Sequence, residues 1–323
     1  MSVLSRPYFH DEAAAFQHVE EILWPQGPVC HHCGAMDRIY KLKGVRTKPS
    51  KKSPEGIERH GLYKCGECRK QFTVRMGTIF EESHLPLHKW LQAIHLICSS
   101  KKGISANQLH RVLEVTLKTA WFLGHRIREA MRSDDFSPMG GNGGTVESDE
   151  TYFGKLAGTT GRGMGNKNVV LTLVERGGKA RSFHIASTTM KAVLPIVNKY
   201  IAKEAWLMTD EGMHYRHIGK HFPKHRAVNH SADEYGRWEY SRDGEKFTAI
   251  NVSTNTVEGY YSIFKRGMKG VYQHCAEHHL HRYLAEFDFR YSNRVALGVD
   301  DGVRAFLALK GAKGKRLTYR QPC

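Results

Sequence analysis

The stretch "VESDETYF", residues 146–153, sets Glu147, Asp149 and Glu150 among Val146, Thr151, Tyr152 and Phe153. Those four neighbours favour a pleated, half-buried surface, where an unpaired carboxylate is costly. Two further acids stand at comparable places. Asp210 closes the apolar run "AWLMTD", and Glu258 lies in the first turn or so of a helical segment, "NTVEGYYSIFKRGMKG". Three carboxylates converging from separate elements repel one another unless a cation lies between them. The chemistry that wants such a set is metal-assisted phosphoryl transfer. Hard Mg²⁺ or Mn²⁺ takes carboxylate oxygens and keeps open positions for water and phosphate. Asp149, Asp210 and Glu258 are therefore the candidate catalytic and Mg/Mn-binding residues.

The helix of Glu258 carries more. Lys265 is seven positions on, about two turns at ~3.6 residues per turn, so it shares the face of Glu258 and can contact a phosphate backbone, with Arg266 beside it. Asn255, one turn earlier on the same face, can bind substrate or a metal-bound water, or can cap the helix, as asparagine favours. Strand alternation gives Glu147 the same face as Asp149 and turns Glu150 the other way, toward a Lys or Arg partner. Glu211 is expected in solvent. Glu286 and Asp288 in "YLAEFDFRYSN" rank behind Glu258 because their helix is rich in core aromatics. His274, His278, His279 and His281 read as a wet or packed helix surface rather than a second metal site.

Four of the seven cysteines form two short knuckles, "CHHC" (Cys30, Cys33) and "CGEC" (Cys65, Cys68). Each turn aims two thiolates at one point, which is the signature of a structural zinc site. The loop between them carries Lys41, Lys43, Arg46, Lys48, Lys51 and Lys52. His31 and His32 are expected to point outward, and Cys98, Cys275 and Cys323 have no partner pattern.

These residues need elements to hold them. A chain of 323 residues can bury two or three cores, and 49 Lys+Arg against 32 Asp+Glu leave a net charge of +17. Such a balance points to polyanionic partners, chiefly nucleic acid. No apolar run is long enough for a bilayer and the N-terminus lacks a signal-peptide core, so an intracellular, cytoplasmic and nucleoid-associated protein without membrane contact is expected. Residues 1–24 read as a helix, 25–78 as a zinc ribbon, and 79–136 as a helical region. In that region Ser105 caps a helix over 106–113, a turn passes through Val115 and Thr116, and a second helix carries Lys118, Arg126 and Arg128. This pattern is that of a helix-turn-helix with a DNA-binding second helix. After a Gly-rich break, 145–295 read β-β-β-α-β-(α)-β-α-α. That order belongs to an α/β, RNase H-like domain, a mixed sheet with helices. Residues 296–323 read as a basic tail.

The motifs "VESDETYFGK", "LMTDEG", "TNTVEGYYSIFKRGMKGVY…HLHRYLAEFDFRYSNR", "CHHCG…YKCGECRKQFTVRMGTIFEES" and "GISANQLHRVLEVTLKTAWFLGHRIREAM" span nearly all of residues 20–294. Together they closely resemble the DDE transposases of bacterial insertion sequences, in the zinc-ribbon, ISXO2-like group related to eukaryotic Merlin elements. The resemblance implies an enzyme that binds terminal inverted repeats of duplex DNA and excises and inserts a short element into target DNA. It implies catalytic acids at Asp149, Asp210 and the "NTVE" segment, with the accompanying lysine at Lys265. In this group the third position is sometimes asparagine, which leaves Asn255 beside Glu258 as alternatives. Lys155 stands where the family often has a second glycine, and the loop between the cysteine pairs is long. A homo-oligomer on DNA is expected. A transposase-derived regulator without catalysis and an RNase H-like nuclease are the rival readings.

Overall fold

In a computed structural model the protein is described over residues 2–318, apart from 52, 157, 162, 244 and 245, with backbone alone over 241–243 and 246–248. Lys52 and residues 319–323, on which parts of the basic loop and tail fall, lie outside the described residues. The chain divides into two units, one formed by 1–100, 104–131 and 300–323, the other by 101–103 and 132–299.

In the first unit Asp11 accepts from the Ala14 N–H at 2.7 Å and starts α1 (Glu12–Leu23), which buries Ala15, Phe16, Val19 and Leu23. Strands β1 (Ile39–Leu42), β2 (Leu62–Cys65) and β3 (Gln71–Phe72) form an antiparallel sheet in that order. Helix α2 (Leu87–Ser99) follows Pro86, and its free N-terminal amides are met from α1. Glu12 accepts from the backbone N–H of Leu87 at 2.7 Å and of His88 at 3.1 Å, the favourable place for a carboxylate. Ser105 caps α3 (Ala106–Leu113), Glu114 ends it in the left-handed conformation (φ 51°), and α4 (Leu117–Met131) begins three residues on. The two-helix reading holds here.

In the second unit the sheet is built from β4 (Thr145–Phe153), β5 (Asn168–Glu175), β6 (Ala180–Ile185), β7 (Trp206–Thr209) and β8 (His225–Ala227). Helix α5 (Met190–Tyr200) precedes β7 and runs through Pro195 rather than starting at it, and α6 (Met213–Ile218) follows β7. The spatial order is β6-β5-β4-β7-β8. The first three strands are an antiparallel meander, and β4–β7 and β7–β8 are parallel, which is the RNase H-like arrangement of a mixed α/β domain. An unforeseen hairpin, β9 (Gly236–Asp243) with β10 (Lys246–Ser253), precedes α7 (Asn255–Gly267). Its sequence signal was present: alternating aromatic and polar residues flank an Asp-Gly pair. Helix α8 (Leu280–Ser292) follows. One face of the sheet packs Val146, Leu171, Leu173 and Leu207 with Val193, Val197, Tyr215 and Ile218 of α5 and α6. The other packs Phe153, Val170 and Val174 with Val257, Tyr261, Phe264 and Phe287 of α7 and α8.

The expected basic tail from 296 is corrected in part. Asp300 caps α9 (Asp301–Lys310), which belongs to the first unit, and Arg304 donates to the Cys98 carbonyl of α2 at 2.8 Å. Ala308 and Leu309 bury the apolar side of this helix. Its pattern is short and flanked by lysines, so it reads as polar until a partner surface is known.

Candidate active site

Strand β4 is the axis of the site, and its alternation decides what each acid meets. Glu147 and Asp149 turn toward α7, whereas Ser148 and Glu150 turn toward α6. Glu147 is fully buried, pairs with Arg176 Nε at 2.7 Å, and accepts the N–H of Thr256 at 2.8 Å and of Val257 at 2.9 Å. It therefore caps α7 from a strand more than a hundred residues away, in place of Thr254, whose side chain makes no cap bond. Asn255 is not the cap. It is the exposed first residue of α7. Arg176 completes the joint, donating from Nη1 to the Asn251 carbonyl at 2.6 Å and from Nη2 to the carbonyl and hydroxyl of Ser253, both at 2.9 Å. One buried ion pair thus joins β4, β10 and α7.

That joint presents Asp149 and Glu258 to the same space. Asp149 Oδ1 accepts its neighbour's N–H, that of Glu150, at 2.7 Å. Burial pushes the Asp149 carboxyl up to about 7, and the charges of Glu150, Asp210 and Glu258 push in the same direction. Asp210 follows β7 directly and accepts the Gly212 N–H at 2.9 Å. Glu258, 45% exposed, accepts the Thr254 hydroxyl at 2.8 Å and lies 3.6 Å from His230 Nε2. Among the described residues no lysine or arginine forms an ion pair with Asp149, Asp210 or Glu258. Lys265 Nζ sits 5.9 Å over the Tyr261 ring, and the Tyr261 hydroxyl donates to the Asp149 carbonyl at 2.6 Å. Arg266 is exposed and donates to Ser262 at 2.6 Å.

The three carboxylates feel one another's charge, yet among the described residues only the four ribbon cysteines gather ligand atoms within 4.8 Å of one another. Repulsion accounts for the wider spacing of the acids. An all-oxygen donor set with uncompensated negative charge suits a hard divalent cation.

The other acids sort cleanly. Glu150 meets His214 at 3.2 Å and the Tyr215 hydroxyl at 2.7 Å, not the Lys or Arg expected of it. Burial opposes protonation of His214, but the hydrogen bond and charge of Glu150, with Asp210 and Asp149 behind, outweigh it and raise the ring's pKa. Glu211 is tied to Ser231 rather than free in solvent. Glu286 is buried against Arg290 and Tyr272, and Asp288 accepts from Ser182 N–H at 2.7 Å and Tyr260 at 2.6 Å. Among the described residues the histidines from 274 to 281 gather no metal cluster.

In the ribbon, Cys30 and Cys68 sulfurs are 3.6 Å apart and those of Cys33 and Cys65 3.7 Å. A tetrahedron with Zn–S near ~2.3 Å has edges of about 3.8 Å, so the four thiols fit one zinc. His32 contacts the Gln71 carbonyl at 3.2 Å, and the His31 ring lies against Gly77, so neither substitutes for a cysteine.

Residues 142–292 match the ISXO2-like transposase domain and residues 10–71 the transposase zinc-ribbon domain. The chain belongs to the ISXO2-like transposase family. It is also similar to an uncharacterized protein in transposable element ISH50 of Halobacterium salinarum, 23% identical over 304 residues that cover 87% of this chain and 91% of that one. The matched transposase segment holds β4, Asp210 and α7, so the geometry above is that of a transposase domain.

Two expected DNA contacts of this transposase are corrected. Arg126 is 5% exposed, donates to the Glu81 carbonyl at 2.5 Å and lies over Trp90 at 5.3 Å. Burial lowers its pKa to about 10, with Arg316 and Arg75 adding to the effect. Arg128 is equally buried. Both guanidiniums pack inside, because α4 turns that side toward the core. Lys118, at the start of α4, is exposed.

The Glu147 joint, for which only the face of the strand was legible beforehand, carries a prediction. Glu147→Ala leaves Arg176 and two α7 amides unpaired, so the protein should lose about 3–5 kcal/mol, the cost of breaking one side of a buried ion pair. Urea unfolding of the variant measures it; a loss under about 1 kcal/mol, the range of surface pairs, would refute the joint.

Proposed function

We propose that this protein is the transposase of an insertion sequence, binding the element's terminal inverted repeats and catalysing metal-dependent strand cleavage and strand transfer into target DNA. The observation that carries the reading is Asp149, its carboxyl raised by the converging charges of Asp210 and Glu258 with no cationic side chain to offset them. Asp149, Asp210 and Glu258 hold Mg²⁺ or Mn²⁺ in this proposal. Such an ion polarises the scissile phosphate and readies a water or a DNA hydroxyl for attack. The chain's own residues then do the rest. Lys265, beside Tyr261, holds a phosphate of the DNA strand; Arg266 supports it from the exposed side of α7. Asn255, on the first turn with Glu258, orients substrate or water. Lys118 on α4 and the basic ribbon loop bind the repeat, and the protein acts as a homo-oligomer on DNA in the cytoplasm, at the nucleoid. Among the described residues no helix is long and apolar enough to cross a membrane.

The test is a duplex carrying the inverted repeats that flank the gene, incubated with the full-length protein and Mg²⁺. Nicking at the element end and joining to a target plasmid are expected, both stopped by EDTA. Repeat binding should fall about 10³–10⁵-fold between 50 and 200 mM salt if ~6–10 phosphates are contacted. Cleavage without joining would make the protein a nuclease, and repeat binding without cleavage in any divalent ion would make it a DNA-binding regulator.

A further inference from the structure

We propose that the outward face of the β9–β10 hairpin is a stacking platform for unpaired DNA bases, continuous with the candidate active site. It rests on the transposase reading only for the kind of nucleic acid, and its geometry stands apart from the carboxylates.

Along β9 the side chains alternate. Arg237 and Glu239 face the body of the domain, while Trp238 and Tyr240 face solvent, 59% and 65% exposed. Below, Val252 opposite Arg237 is fully buried and Ile250 opposite Glu239 packs with Met208 and Val228. The inward charges are tied down: Arg237 bonds Glu234 at 2.8 Å and Glu239 at 2.7 Å, and Arg226 bonds Glu239 at 2.6 Å. The ribbon is therefore held from beneath, so its two outward rings sit on a firm base.

Above, the cross-strand neighbours leave those rings open. Asn251 stands opposite Trp238 and Ala249 opposite Tyr240, so no bulky aliphatic side chain covers the pair. A protein-docking face would surround its anchors with aliphatic residues. Two flat rings among small and polar neighbours, on a chain of net charge +17, suit a polyanion that carries its own flat rings.

The surface leads to the acids. Tyr235, 60% exposed, lies 5.5 Å from His230 between ring centroids, and His230 Nε2 is 3.6 Å from Glu258. At its other end β10 runs through Ser253 and Thr254 into α7. A strand whose phosphate reaches Glu258 has the rings beside it, where bases freed from the duplex can stack. That gives the hairpin a role in holding a melted element end, a step no carboxylate can perform.

The experiment uses full-length protein in EDTA, so that no cleavage contributes. Binding of an oligothymidylate of about 15 nucleotides is compared with binding of an abasic oligonucleotide of equal length, by fluorescence anisotropy. Trp238→Ala and Tyr240→Ala should each weaken oligothymidylate binding about tenfold, the loss of one base–ring stack, and leave abasic binding unchanged. Trp238→Phe should retain most of the affinity, which guards against a variant that merely misfolds. Equal losses on both oligonucleotides, or none on either, would overturn the proposal. So would an alanine variant that changes only the sedimentation of the free protein, since the face would then join copies of the chain. Absence of cleavage in every divalent ion would defeat the transposase reading and leave this result standing. Unchanged base stacking beside intact metal-dependent cleavage would do the reverse.

Discussion

Asp149→Asn should reduce cleavage and strand transfer about a thousandfold or more, the scale of several kcal/mol of lost metal-assisted stabilisation, while repeat DNA stays bound. Binding persists because phosphate and base contacts come from other residues. The fold should persist too, since the amide oxygen can still accept the Glu150 N–H that Asp149 takes at 2.7 Å. Stability should even rise, and the pH dependence has a definite sign. The Asp149 carboxyl stands at about 7 in the folded protein, above its ordinary value of 3.8. Between those two values the folded chain holds a proton that the unfolded chain has lost. Folding stability therefore falls as pH rises from about 4 to 7, and the ionised carboxylate weighs on the fold above that. Asparagine has no such group, so the variant should equal the parent near pH 4 and exceed it at pH 8. The gap has an upper bound on the order of 4 kcal/mol at ~1.4 kcal/mol per pH unit. Mg²⁺ should shrink it by offsetting the charge in the parent alone. Thermal melting at pH 5 and 8, with and without Mg²⁺, beside a cleavage assay, tests the whole chain of reasoning. A variant that melts well below the parent at pH 8 and cleaves normally would make Asp149 structural.

Cys65→Ser should empty the ribbon of metal. The parent should carry about one zinc per chain, held by Cys30, Cys33, Cys65 and Cys68, and the variant almost none. Zinc binding in small fingers contributes about 10–16 kcal/mol at neutral pH, more than a ribbon core built on Tyr63 and Phe72 can replace. Residues 25–78 should accordingly become sensitive to protease in the variant. Acid should release zinc from the parent, because its ligands are thiolates. Without metal the N–H groups of Cys68 and Glu67 draw the Cys65 thiol down to about 7, whereas burial and the other three cysteines drive Cys33 up to about 12. The ion is what makes all four thiolates possible at once. Metal analysis after gel filtration decides the matter: an unchanged zinc content in Cys65→Ser would remove the site.

The parts of this protein that its sequence determined are those governed by short-range geometry. A C-x-x-C turn aims two sulfurs at one point whatever surrounds it, so the zinc site was legible in four residues. Period-two alternation in "VESDETYF" separates Glu147 and Asp149 from Glu150, and the structure keeps that separation. Ser105, the turn at Val115 and the helix after it needed only capping and propensity. The mixed sheet followed from the order of strand-like and helix-like runs. What only the tertiary structure decided are the partners of groups far apart in the chain. Nothing near Arg176 announces that it will join Glu147, Asn251 and Ser253, or that Glu147 will cap a helix beginning at Asn255. Arg126 reads as a DNA contact until Trp90 and the Glu81 carbonyl enclose it. The helix at Asp301–Lys310 looks like tail until α2 covers it. The physical reason is common to all of these. Local conformation depends on neighbours within a turn or two. Burial and ion pairing depend on which distant surface arrives, and the same arginine is a phosphate ligand in water and a packing group against a tryptophan.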